Sequence, residues 1–306
     1  MTSRETESSW HNALSSATIH RIAFEGATVR SSLLTARLSN LILLASLLPL
    51  TGSAQQPAAP APSLQDILVH LQENMWDYLA NIPNFFCDEH VVSNLQQEGR
   101  RDIHTTTESV FRLVRSKAIG EAHTFTESRE VKTINKKAAK GDQIHGPAVF
   151  SGGFSTAAGV VSLEMSRCYD YTLQAPGLLN KTPAIIIDYA INPDMLTDNS
   201  CPGPEKASGR AWIDPVTFHP LRVEMAVPSH KDNNGERVYW TWSVDFAPVT
   251  FDNKQFWMPA TITSKAVANN ASGVWSFTAN YSNYHKLTVN SRIITDVGDN
   301  PPAPPQ

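Results

Sequence analysis

An α+β fold, one long helix against a curved antiparallel sheet, is predicted by three features of this sequence. The first is two-residue alternation. Val238, Trp240, Trp242, Val244 and Phe246 fall on one side of an extended chain, and Tyr239, Thr241, Ser243 and Asp245 on the other. Successive side chains of a strand point to opposite faces, so this run reads as a strand with one apolar face. The second is turn chemistry. Asp214-Pro215, Asn233-Asn234-Gly235, Asp252-Asn253-Lys254 and Asn269 to Gly273 separate such runs at hairpin spacing, and Asn-Gly suits the positive φ angles of tight hairpins. The third is a single stretch with helical period, residues 63–81, where Leu64, Ile67, Leu68, Leu71, Met75, Tyr78 and Leu79 form one stripe.

The elements follow in chain order. Ser63 is placed to cap the helix, Asp66 opposes the helix dipole in its first turn, and Pro83 ends it. Its stripe must be buried, and the available partner is the concave face of the sheet. Residues 85–95, 103–115 and 122–136 read as three strands, with Arg112, Arg115, Glu127, Arg129 and Lys132 among their polar positions. Strands this long suit a strongly twisted sheet. Residues 141–159 read as a loop and residues 156–165 as a short helix. Strands over 168–174 and 184–191 and a proline-flanked loop over 197–208 follow. From Ala207 to Lys286 the aromatic alternation dominates: Leu221, Val223, Met225 and Val227 repeat it, as do Trp275, Phe277, Ala279 and Tyr281. The expected total is nine or ten strands.

The ends of the chain point to export. Leu38 to Leu50 is an apolar run of thirteen residues, preceded by Arg30 and Arg37 and followed by Gly52, Ser53 and Ala54. A basic region, a short apolar core and small residues make a secretory signal peptide, here with an unusually long polar start. A permanent span needs about 20 residues, so an uncleaved anchor is the lesser alternative. The expected organisation is a signal peptide over 1–54, a Pro/Ala linker over 55–62, one domain over 63–295 and a disordered Pro-rich tail over 296–306. No cysteine follows the apolar run, so a lipoprotein anchor is not expected and the destination is the periplasm or the medium. With 25 basic and 29 acidic residues interspersed, no basic stripe points to nucleic acid.

Export permits oxidation of Cys87, Cys168 and Cys201, which allow three single bridges. Cys168–Cys201 is favoured, pinning the proline-flanked loop to the strand that Cys168 opens, with Cys87 left as a small core residue.

No residue set identifies a reaction. Asp88-Glu89-His90 holds three metal-ligating types, but alternation splits them between two faces; a solvated strand face is the expectation, with no metal and no cofactor. Ser155 in Gly152-Gly153-Phe154-Ser155 lacks the second glycine of a nucleophile elbow, where Ala157 stands, and the lysine of a phosphate loop, so Gly152, Gly153 and Phe154 read as a lid. Asp214, Glu224 and Asp245 do not converge as the paired carboxylates of glycoside hydrolysis must. The aromatic positions Trp240, Trp242, Phe246, Trp257, Phe277 and Tyr281 are either core or the wall of an apolar pocket that one helix cannot fill.

The segment Ala207 to Thr217 continuing through Pro220-Leu-Arg-Val-Glu, with a small-residue strand ending in Ile213-Asp214, resembles a hairpin of the LolA-like lipoprotein-carrier superfamily. Phe256-Trp-Met-Pro-Ala, Trp275-Ser-Phe and Tyr281-Ser-Asn-Tyr-His resemble its later strands. The chain as a whole resembles exported proteins of acidobacterial type, including Asn84-Phe-Phe-Cys-Asp-Glu. The resemblance implies an unclosed half-barrel with the helix over its concave face, and a non-catalytic protein that binds a lipid, lipoprotein or other apolar envelope ligand. A structural or protein-interaction module with a filled sheet is the alternative, and a hydrolase with an unrecognised site the lesser one.

Overall fold

The computed structural model describes residues 62–116, 124–139, 154, 157–195, 201, 206–231, 237–268 and 273–288. Within them one α-helix, α1 (Leu64–Asn81), precedes twelve strands. These are β1 (Phe85–Gln96), β2 (Ile103–Ser116), β3 (Thr124–Ile134), β4 (Lys137–Ala138), β5 (Tyr169–Leu173), β6 (Gly177–Leu179), β7 (Thr182–Ile191), β8 (Ser208–Ile213), β9 (Pro220–Lys231), β10 (Arg237–Phe251), β11 (Lys254–Ala268) and β12 (Gly273–Lys286). The sheet runs β4-β3-β2-β1-β12-β11-β10-β9-β8-β7-β5, with β6 also pairing β7, and it does not close. Every pairing is antiparallel. The antiparallel α+β architecture expected from alternation is therefore present, with the short β4 and β6 added.

Ser63 caps α1 in a capping box: its hydroxyl accepts from the Asp66 amide at 3.2 Å, and the Asp66 carboxylate accepts from the Ser63 amide at 3.1 Å. Two amides that a helix start leaves unpaired are thus satisfied, a feature worth about 0.5–2 kcal/mol. Ile67, Leu68 and Leu71 are the buried part of the stripe, and they join one core cluster with the sheet residues. Asn74 fixes the helix to the β8–β9 hairpin by donating to the carbonyls of Thr217 and Phe218 at 2.9 and 3.0 Å. Asp214 holds that hairpin as a turn, its Oδ1 accepting from the amides of Val216 and Thr217, which is the role expected of Asp214-Pro215.

The register shifts where β10 meets its neighbours, between Val238 and Trp240 against β9 and between Asp245 and Phe246 against β11, with the extra residues on β9 and β11. A bulge adds a residue to one strand and sharpens its twist; with the extra residue on β11, β10 keeps its own alternation, Phe246 buried and Asp245 on the outer face. The short helix expected over 156–165 is instead two 3-10 turns, Ala157–Val160 and Glu164–Arg167. Gly159 and the serines around it weaken an α-helix, and Tyr171 takes the Val160 carbonyl at 2.6 Å.

Cys168 and Cys201 are bridged, as favoured from sequence, and Cys87 is a buried free thiol. The bridge closes a separation of 33 residues, for which chain entropy gives about 3–4 kcal/mol of stabilisation. Among the described residues no helix is long and apolar enough to cross a membrane. The expected signal peptide, most of the expected linker, Gly152, Gly153, Ser155 and the Pro-rich C-terminal segment lie outside the described residues.

Candidate ligand site

The register builds the core face in rows across the sheet. One row runs Thr105, Ser93, Phe277, Ser264, Trp242, Met225, Gly209 and Tyr189, each facing the next on a neighbouring strand. The adjacent row runs Thr107, Val91, Ala279, Ile262, Val244, Val223, Ala211 and Ile187. Beyond it Val131, Ser109, Glu89 and Tyr281 are paired in turn. Thr105, Thr107, Ser109, Ser93 and Ser264 are all buried, so one end of the core face is studded with small hydroxyls. The Ser109 hydroxyl is enclosed without a hydrogen-bond partner.

The other end is aromatic. Phe154 lies against Phe85, Phe111, Tyr281 and Tyr284 with ring centroids 4.6–6.5 Å apart. Phe251 extends the cluster from Phe85 to Phe256. Phe154 is only 2 % exposed, so the described member of the expected lid is a plug within the core.

A charged cluster separates the two ends. Glu89, 1 % exposed, accepts from Arg129 Nε at 2.9 and 3.0 Å on its two oxygens and from the Tyr281 hydroxyl at 2.9 Å. The Arg129 guanidinium also lies 4.8 Å over the Phe111 ring. Burial works against the Arg129 charge, but Glu89 and Tyr281 beside it outweigh burial and hold its pKa above the ordinary value. Burial, then the Glu89 charge, pushes the Tyr281 phenol well up. Burial also pushes the Cys87 thiol up, the reverse of what an activated nucleophile needs.

The expectation of a solvated strand face at Asp88-Glu89-His90 is corrected for Glu89. Asp88 accepts from Asn283 and His90 bonds Glu108 on the outer face, while Glu89 turns into the core. Its partners sit on β3 and β12, far off in sequence, and no local pattern names them. Glu224 and Asp245 pair with Arg222 on the outer face and form no cleft.

A cavity of about 100 Å³ opens between α1 and the strands, lined by Leu71, Asn74, Met75, Asp77, Tyr78, Phe154, His219, Pro220, Phe246, Gln255, Phe256, Trp257 and Pro259. Trp257 stacks on His219 at 5.4 Å and Tyr78 meets Phe256 edge-on at 6.5 Å. Burial, partly offset by Asp214 and Asp77, pulls the His219 pKa down and keeps the imidazole neutral. The Tyr78 hydroxyl is enclosed and has no hydrogen-bond partner. Of the six aromatic positions singled out from sequence, Phe246 and Trp257 line this cleft, together with Phe154. Trp242 and Phe277 lie in the hydroxyl-bearing row, Trp240 packs at the edge of the core, and Tyr281 belongs to the Glu89 cluster. Sequence reasoning missed Met75, Tyr78 and His219 as lining residues; Met75 and Tyr78 stand on the α1 stripe, a signal that pointed to the core alone.

No protein-family model matches this chain, and no curated protein matches it. Among solved structures it is similar to a LolA superfamily protein from Nitrosomonas europaea, at 10 % identity and a TM-score of 0.33 over 75 % of this chain and 96 % of that one. It is similar to a putative outer membrane lipoprotein-sorting protein domain from Vibrio parahaemolyticus, at 14 % identity and a TM-score of 0.34 over 72 % and 92 %. A DUF1329 family protein from Desulfovibrio piger is similar at 11 % identity and a TM-score of 0.33 over 76 % and 95 %.

Proposed function

We propose that this chain is an exported, non-catalytic binding protein that holds a lipid, lipoprotein or other apolar envelope ligand against the concave face of its sheet, with α1 over that face. The observation that carries the reading is the cleft between α1 and the sheet, walled by Leu71, Met75, Phe246, Phe256 and Trp257 and plugged at one side by Phe154. Ligand pockets are usually about 300–1,000 Å³, so the cleft of about 100 Å³ must widen to take a ligand. Withdrawal of the Phe154 ring, which buries roughly 150–250 Å² as aromatic side chains do, extends it into the space beside Phe85, Phe111 and Tyr284. The Cys168–Cys201 bridge supports an oxidising compartment.

The test is native mass spectrometry, with lipid extraction, of protein purified from its native envelope fraction. A co-purifying acyl ligand is expected, and Trp257→Asp removes it while circular dichroism shows the sheet intact. Phe154→Ala takes up a pyrene-labelled acyl probe more readily than the parent. A bare protein that takes up no such probe in either form sinks the proposal.

The second reading, a protein-interaction module with a filled sheet, is favoured by one observation: Trp242, Phe246, Phe277 and Tyr281 are all buried. It predicts that Phe154→Ala destabilises the fold without creating probe binding.

A further inference from the structure

The Tyr78 hydroxyl is the polar feature that the apolar-ligand reading leaves unexplained. It stands on the last turn of α1, and its ring is held edge-on against Phe256 at 6.5 Å. Its oxygen is sealed from solvent and has no hydrogen-bond partner. An O–H taken out of water without an acceptor carries a desolvation penalty that a phenylalanine in the same place avoids. Burial raises the phenol's pKa, so the group stays a donor throughout the physiological range. The other polar groups around the cleft are engaged or turned outward: Asn74 donates to the Thr217 and Phe218 carbonyls, Asp77 accepts from Lys254, and Gln255 is exposed.

The lining also selects by charge. It contains the Asp77 carboxylate and no lysine or arginine. His219, stacked on Trp257, is kept neutral by burial. An ionised carboxylate brought into such a site loses its hydration and finds the nearby Lys254 ammonium already paired with Asp77. An uncharged carbonyl loses little and gains the waiting donor.

We infer that Tyr78 reads the ligand of this cleft as a neutral acyl derivative, an ester or amide, by donating its hydroxyl to the carbonyl oxygen while the chain lies against Phe246, Phe256 and Trp257. The inference rests on the proposed apolar-ligand site and adds the chemical class of its occupant. Tyr78 is a specificity-determining residue in that scheme, not a structural one, since the fold gives its hydroxyl nothing to hold.

Three pyrene-labelled probes of equal chain length test it: a methyl ester, the corresponding alkane and the free acid, titrated into the parent protein and into Tyr78→Phe at pH 7.5. The parent is expected to bind the ester about tenfold tighter than the alkane, the effect of one net hydrogen bond, and tighter than the acid. Tyr78→Phe erases the ester preference, leaves alkane affinity unchanged and keeps or raises the melting temperature. A preference that survives in Tyr78→Phe, equal affinity of the parent for ester and alkane, or preference for the acid overturns the inference alone. Failure of the parent to bind any of the three probes overturns the apolar-ligand site with it.

Discussion

On β1 and β2 the core face carries Phe85, Cys87, Phe111 and Leu113 at one end and Ser93, Thr105, Thr107 and Ser109 at the other, all of them buried. The backbone is the same antiparallel ladder throughout, Phe85 facing Leu113 and Ser93 facing Thr105. What differs is how the face is filled. The aromatic end contains interlocking rings, whose packing contributes apolar burial and ring–ring contacts. The hydroxyl end replaces rings with side chains of a few atoms, and its larger groups, Phe277 and Trp242, come from β12 and β10. Glu89 and Arg129 stand between them, charges that neither end could solvate alone. The comparison teaches that burial on a sheet face does not imply apolarity, and that a single strand can serve two kinds of interior.

The largest test removes the divider. Glu89→Ala leaves Arg129 with a buried charge and no carboxylate, at an expected cost of about 3–5 kcal/mol in denaturant unfolding. The double variant Glu89→Leu with Arg129→Met is expected to cost less than either single truncation, since no lone charge remains. A double variant as unstable as the sum of the singles shows instead that the pair is worth more than the apolar packing on either side of it.

A smaller contrast compares the two ends directly. Phe111→Ala removes a ring that touches Phe85, Phe154 and Tyr281 and is expected to cost about 3–5 kcal/mol. Ser109→Ala removes an enclosed hydroxyl that has no partner and is expected to raise stability by up to about 1 kcal/mol. Chemical denaturation of both at one pH checks the difference in sign, and a destabilising Ser109→Ala would dissolve the distinction.

The smallest effect concerns pH, at the mouth of the aromatic end. The pKa of His219 is lowered in the fold, chiefly by burial. The unfolded chain therefore binds a proton first as pH falls below about 6.5, and stability declines from there until the folded pKa is passed. His219→Gln is expected to flatten that part of the stability profile, measured by melting between pH 7.5 and pH 5.

The core face of β10 and β12 was legible in the sequence, because Trp240 to Phe246 and Trp275 to Tyr281 alternate without interruption, and the Asp214 turn is local. So was the helix, whose cap is written in Ser63 and Asp66. The hydroxyl end was not. Thr105, Thr107 and Ser109 alternate with His104, Thr106 and Glu108, and hydroxyls suit either face, so periodicity carries no sign there. Glu89 escaped for a different reason: a carboxylate reads as solvated until its partners are known, and Arg129 is 40 residues away and Tyr281 192. The orphaned Tyr78 hydroxyl is a property of three-dimensional enclosure alone. Of the candidate site, then, Phe246, Trp257 and Phe154 were readable, and the polar groups that discriminate among ligands were not.

The pairing of β1 with β12 has a consequence for how the chain assembles. Strands β1 to β4 and β5 to β12 are two meanders of mostly local contacts, and the β1–β12 ladder is the seam between them, with Phe85 facing Lys286. Closing it requires ends that are nearly the whole domain apart, the kind of high contact order that slows folding. During synthesis β1 waits with a bare edge until β12 emerges, so the sheet is completed only once Gly273–Lys286 is in place. A permuted chain that joins Lys286 to Ser63 through a linker long enough to run back along the 18 residues of α1, about 27 Å, and opens after Ala139 converts that seam into a local connection. Such a chain folds faster while keeping every strand neighbour it has now.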